Sequence, residues 1–392
     1  MDLEAWYNSQ SRSNMDEIID SVATHEANVQ DDSLVTRDED YYREDGDCVI
    51  RVGNVLFKVH RHLLVRDSSA FENMFSMPQG TDVPGNIPTD ENPIRLYDEV
   101  DEFRAFCWIM PDISSSTSSP MAYMAQTYEA SVDIAKIVSL YLISHKYHFE
   151  SHENFAREIL ERHRPDALEE PNYFILDYFL NCPESRLESL IKVASSTENP
   201  ASEHSLTSGI QTFWIWRLRL IGTSVSYALR VAEALGLRRF IGELYYFVLC
   251  ESMDQPSTIQ GSTAYIRPST DLTPRQRLAL FEGSWSLHPY WLNTVSAPFH
   301  TFNCPAHRHH GCNRIWKEFW PKYKASIAEM FFDPLQFLRD IEPGVTQVNG
   351  KLSDGILVIS CIAPYVNAKI NVLEESLADH FLGPMPSTQP VS

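Results

Sequence analysis

The residues best equipped for ligand chemistry lie in "HTFNCPAHRHHGCNRIW", residues 300–316, where Cys304, His307, His309, His310 and Cys312 are gathered. Thiolate and imidazole are the ligands of tetrahedral structural zinc, which takes four of them, often as two close pairs brought together by the fold. Cys304 with His307 or with Cys312 makes one pair, and Cys361 offers a further ligand from a distant segment. The candidate zinc ligands are therefore Cys304, His307, Cys312 and Cys361. The alternative is a polar loop with two ordinary cysteines, because the spacing is irregular. No other cofactor is implied.

A second stretch, "FKVHRHLLVRDSSAFENMF" from Phe57 to Phe75, sets His60, Arg61, His62 and a serine pair on an apolar skeleton. A general base or ligand at His60 would need a nucleophile, an acid or a second ligand at fixed spacing, and the sequence offers none. The run "FEGSWSLHP" around Ser286 is no nucleophile elbow, since no strand precedes it. The chain's 15 glycines form no phosphate-binding cluster. Glu169–Glu170 and Glu374–Glu375 read as solvent-facing pairs. Trp214, Trp216, Trp285, Trp291, Trp316 and Trp320 read first as core, with a groove for a partner peptide as the alternative. A non-catalytic protein is the expectation.

Composition narrows the partners. The 392 residues carry a formal charge of −21, which repels phosphate backbones and argues against nucleic acid. The basic groups Arg217–Arg219, Arg238–Arg239 and Arg314–Lys324 read as solvated helix faces among aromatics. No basic and apolar leader opens the sequence, and no apolar run is long enough for a membrane span. Seven scattered cysteines, an odd number, fit reduced thiols and a cytoplasmic or nuclear location.

The elements that would position these residues change character along the chain. Residues 1–45 form an acidic segment expected to be disordered, with a short helix at Met15–Val22 as the exception. A hairpin is predicted from Asp47 to Val59, two β-rich runs joined at Gly53-Asn54, with Val55, Phe57 and Val59 on one face. Ser69-Ala-Phe-Glu72 is a capping box that opens a helix carrying Phe71, Met74 and Phe75. "PIRLY" reads as a strand and Glu99–Met110 as a helix. From about residue 131 the periodicity is helical, with αα-hairpins across Tyr147–Phe149 and Gly236. Ile113–Pro120 and residues 195–209 read as flexible, the latter as a linker, and 383–392 as a loose tail.

The runs "GDCVIRVGNVLFKVHRHLLVRDSSAFENMF", "NPIRLYDEVDEFRAFCWIM" and "IAKIVSLYLISHKYHFESHENFAREIL" together resemble a BTB/POZ domain of the type abundant in mushroom-forming fungi. The signature positions are Asp47, Phe57, His60, Leu64, Ser69, Phe71 and Phe75. The resemblance implies an α+β fold, short β-strands flanked by helices over 46–161, followed by a mostly α-helical extension. That extension divides into 162–255 and 256–382, the latter with the Cys/His-rich loop 300–312. In this family His60 would be a buried structural residue and Asp47 a buried polar one near a dimer surface. A solvated surface carboxylate is the other reading of Asp47. Arg61 and His62 read as solvated. Relatives of this kind carry a second cysteine after Cys361 where this chain has Pro364, so a four-cysteine site is not matched.

By the same resemblance the function would be protein association, as a homodimer or with another chain. Such interfaces bury about 1,600 Å² in total. Val49, Val55, Phe57, Leu63 and Leu64 are the candidates for that apolar face or for the core beneath it. A narrower expectation is an adaptor that presents substrates to a cullin-type ubiquitin ligase, with Glu99–Met110 and Ser131–Glu161 as the cullin surface. The alternatives are a transcription-related or structural scaffold, or an enzyme with an unrecognised site in the C-terminal half.

Overall fold

The computed structural model describes residues 35–67, 69–76, 88–110, 132–164, 173–197, 205–254, 271–290, 333–339, 341 and 355–384. The chain divides into two compact units, Met1–Gly222 and Thr223–Ser392. That division falls inside the helical region expected over 162–255.

The first unit is built on a four-stranded sheet. Its strands are β1 (Thr36–Tyr42), β2 (Cys48–Val52), β3 (Val55–Val59) and β4 (Ile94–Leu96), in the order β1-β3-β2-β4. The Gly-Asn turn behaves as its sequence predicts. Gly53 takes φ +55°, and β2 and β3 pair antiparallel with Val52 opposite Val55. Only glycine adopts that backbone at little steric cost, which fixes the register of the hairpin. β1 lies parallel to β3 and β4 parallel to β2.

Helices α1 (Arg61–Leu64), α2 (Ala70–Ser76) and α3 (Val100–Ile109) accompany the sheet. They are followed by α4 (Ile134–Tyr147), α5 (Glu150–Arg162), α6 (Tyr173–Asn181), α7 (Glu184–Thr197) and α8 (Leu206–Ile221). The capping box is half formed, since the Glu72 N–H donates to Ser69 Oγ at 3.4 Å. α4 opens on Asp133, whose carboxylate accepts the Lys136 N–H, and closes on His148 in the left-handed conformation at φ 59°. The Phe149 N–H then returns to the Ser144 carbonyl at 2.9 Å, so the chain reverses at once into α5.

Two expectations are corrected here. Residues 1–45 contain an ordered strand, β1, so the ordered unit begins by Val35; residues 1–34, with the Met15–Val22 helix, lie outside the described residues. The linker over 195–209 is shorter than expected, because α7 continues to Thr197 and α8 is capped by Ser205, which accepts the Ser208 N–H at 3.1 Å. Residues 198–204, 113–120 and 385–392 lie outside the described residues.

The second unit is helical among its described residues. α9 (Val225–Ala234) and α10 (Arg238–Asp254) form the expected hairpin around Gly236, at φ +65°. α11 (Pro274–Tyr290) and α12 (Gly355–Leu382) complete the principal elements. A Cβ on Gly242 of α10 would come within 2.7 Å of the Ala378 backbone, and one on Gly283 of α11 within 1.9 Å of the Phe381 ring. Both glycines therefore let their helices sit close against α12. No helix among the described residues is long and apolar enough to cross a membrane.

Candidate interaction surface

Four of the signature residues, Phe57, Leu64, Phe71 and Phe75, converge on one core. Phe57 is fully buried and meets Phe103 of α3 edge-on, with ring centroids 4.8 Å apart. Phe71 stacks on Tyr147 at 4.5 Å, and Phe106 meets Phe149 at 4.7 Å. The stretch Phe57–Phe75 is thus locked against α3 and the α4–α5 reversal by aromatic faces and edges, each pair contributing about 1 kcal/mol beyond area burial. Leu64 is buried in the same cluster, and Phe75 is half-buried at its margin with the Arg61 guanidinium 4.3 Å from its ring centroid.

The polar members of the signature shape turns. Ser69 is buried, and its hydroxyl donates to the Leu64 carbonyl at 2.5 Å, closing the α1–α2 corner. Asp47 is exposed, so the surface-carboxylate reading holds for its position. Its Oδ1 accepts the Arg61 N–H at 2.6 Å, satisfying a donor at the start of α1 from fourteen residues upstream. His60 is half-buried rather than buried, and its Nε2 stands 3.5 Å from Asp45 Oδ2. It hands β3 over to α1. Arg61 and His62 are exposed, as expected.

Of the residues proposed for an apolar association face, Val49, Phe57, Leu63 and Leu64 are buried within this single chain, and only Val55 keeps partial exposure. They belong to the core. The outward features of the first unit are its sheet edges and its charge. At the edge, Asp38 of β1 is buried. Its Oδ1 accepts the N–H groups of Asp40 and Tyr41 at 3.1 and 3.0 Å, and its Oδ2 accepts Arg104 Nε at 2.9 Å. Those bonds use backbone donors in the middle of β1, where its register with β3 shifts, and so blunt that edge against further strand pairing.

A second clasp joins β1 to the segment before β4. Asp90 accepts Tyr42 Oη and Arg37 Nη2, both at 2.6 Å. The Tyr42 bond first and Arg37 after it hold the Asp90 carboxyl below its ordinary value. Burial, then Asp90, pushes the Tyr42 phenol up to about 12.

The helices α3, α4 and α5, where a cullin surface was expected, carry their own polar ties. Asp98 is buried at the side chain and accepts Lys146 Nζ and Tyr147 Oη, both at 2.5 Å. Burial, with Asp98 behind it, raises the Tyr147 phenol. Ser151 donates to Asp67, a non-glycine residue at φ 57°, and Arg186 of α7 pairs with Glu102 of α3. Burial holds Glu102 above the usual carboxylate range in spite of that arginine.

Two further readings are corrected. Arg217 was expected on a solvated face but is buried, its guanidinium donating to the Cys182 carbonyl just past the C-terminus of α6. Among the tryptophans, Trp214 is buried as expected, whereas Trp285 is exposed on α11. Trp291, Trp316 and Trp320 lie outside the described residues, as do Cys304, His307 and Cys312 with the whole Cys/His-rich loop. Cys361 falls within α12. Among the described residues no group of three or more His, Cys, Asp or Glu is placed to hold a metal ion. Ser286 Oγ and His380 Nδ1 stand 2.8 Å apart, but both lie on helices, and among the described residues no carboxylate accepts a hydrogen bond from the imidazole.

Comparison with family models, with curated proteins and with solved structures gives no match.

Proposed function

We propose that the protein is a non-catalytic association module of BTB/POZ type, in which residues 46–161 bring together copies of the chain or unlike partners. What supports the reading most is the convergence of the signature residues. Phe57, Leu64 and Phe71, spread over the stretch that carries the resemblance, meet in one cluster with Phe106 and Phe149 from the other two stretches. The three runs thus behave as parts of one structural unit. The narrower reading, an adaptor between a cullin and a substrate held by the helical extension, assigns the cullin contact to α3 and the α4–α5 hairpin.

The test is affinity purification of the full chain beside a variant lacking residues 45–161, with mass spectrometry of the retained proteins. A cullin recovered with the full chain and lost with the deletion supports the adaptor. Recovery of BTB chains without any cullin supports association and ends the adaptor reading. Partner sets that are identical for the two chains overturn the assignment of association to 46–161.

A further inference from the structure

The charge of the chain is not shared between its two units. Residues 1–222 hold 18 Lys and Arg against 38 Asp and Glu, whereas residues 223–392 hold 14 against 15. Nearly the whole excess of −21 therefore belongs to the first unit, and the second is close to neutral. Two copies approaching through their first units meet strong like-charge repulsion; through their second units they meet almost none.

The nearly neutral unit is also the one with an apolar stripe open to solvent. On α11, Leu278 is 58% exposed, Phe281 67% and Trp285 75%. Their spacing of three and four residues puts them on one side of the helix. The opposite side, Gln276, Leu280, Gly283 and Leu287, is buried. With Gly283 seated against Phe381, α11 is held rigidly on α12 and presents the stripe at little further entropic cost. Trp and Phe are among the residues that carry most binding energy when an interface covers them.

We propose that this stripe is a self-association surface, occupied by the α11 of a second copy of the chain. Antiparallel pairing centred near Phe281 sets Leu278 of one copy opposite Trp285 of the other, large against small, as a two-fold contact requires. The contact is independent of the association proposed for residues 46–161, and a chain using both would form larger assemblies.

The test is sedimentation equilibrium of the full chain across the micromolar range, at low and at high salt, with Trp285→Ala and Phe281→Ser alongside and far-ultraviolet circular dichroism as the check on folding. Both side chains point outward, so both variants are expected to fold. The expected result is wild-type self-association, as a dimer or, with residues 46–161 also paired, as a larger assembly, in which one step changes its dissociation constant by no more than about threefold with salt and is weakened at least about tenfold in each variant, about 1.4 kcal/mol. A monomer at every concentration overturns the proposal, whatever else covers the stripe. Self-association that neither variant weakens and that salt strengthens also overturns it. That second result moves the contact to the acidic first unit and leaves the BTB-type reading standing.

Discussion

At the scale of single residues, His152 shows how position sets chemistry. Its ring stacks on Phe149 at 5.5 Å and meets the edge of Phe106 at 6.2 Å, while its Nδ1 is buried with no hydrogen-bond partner among the described residues. Burial lowers its pKa, Arg66 adds to the depression, and Asp67 opposes it. The folded protein therefore binds a proton at this site less readily than the unfolded chain does. Above the unfolded value, about 6.5, both states are neutral here and the site adds no pH dependence. As pH falls through that value the unfolded state is protonated first, and stability is lost. His152→Phe keeps the stacking and removes the titration. The urea midpoint of the wild-type first unit is expected to fall between about pH 7.5 and about pH 5.5 more steeply than that of the variant. Equal slopes for the two proteins would remove His152 as a source of acid lability.

At the scale of elements, the two glycines facing α12 decide how closely the helices of the second unit approach. A methyl group at Gly283 meets the fully enclosed Phe381 ring, and one at Gly242 meets Ala378 backbone. Gly283→Ala is expected to cost about 1–3 kcal/mol of unfolding free energy, the usual range for overpacking, despite the better helix propensity of alanine. Phe381→Leu in the same chain should recover part of the loss, because the ring is what the methyl displaces. Gly242→Ala should respond to no such side-chain repair, since its obstacle is main chain. Urea unfolding of the wild type, of both glycine variants and of each combined with Phe381→Leu measures this directly.

The same elements mark what was legible in the sequence. The β2–β3 hairpin, the α2 cap and the α4–α5 reversal carry local signals: a Gly-Asn turn, a Ser-x-x-Glu box, an apolar stripe broken at one point. β1 carries none. Its "TRDEDYY" reads as a solvated charge run, but it pairs with β3, and its Asp38 is held inside by Arg104, 66 residues away. Arg217 was misread for the same reason, since its partners lie 35 and 38 residues back on and just beyond α6. Periodicity reports which side of a helix is apolar; it does not report a long-range polar contact that makes a charged residue internal.

At the scale of the whole molecule, the uneven charge and the separate cores predict separate responses. Each unit has its own buried set, Phe57, Phe71 and Phe106 in the first and Phe240, Leu244 and Phe381 in the second. Units with their own buried sets are expected to unfold as separate cooperative transitions. Salt distinguishes them. In the first unit it screens the repulsion among acids that outnumber the bases by more than two to one, but it also weakens exposed pairs such as Arg43–Asp45. Such exposed pairs add little in water, so the net repulsion is the larger effect. The clasp at Asp38 is buried on its carboxylate side and is screened less. Raising the salt concentration is therefore expected to move the transition of the first unit upward in temperature and leave that of the second nearly in place. Calorimetry of the full chain, with Gly283→Ala to identify the second transition, carries the test. A single transition shifted as a whole by both salt and Gly283→Ala would mean that the two units unfold as one.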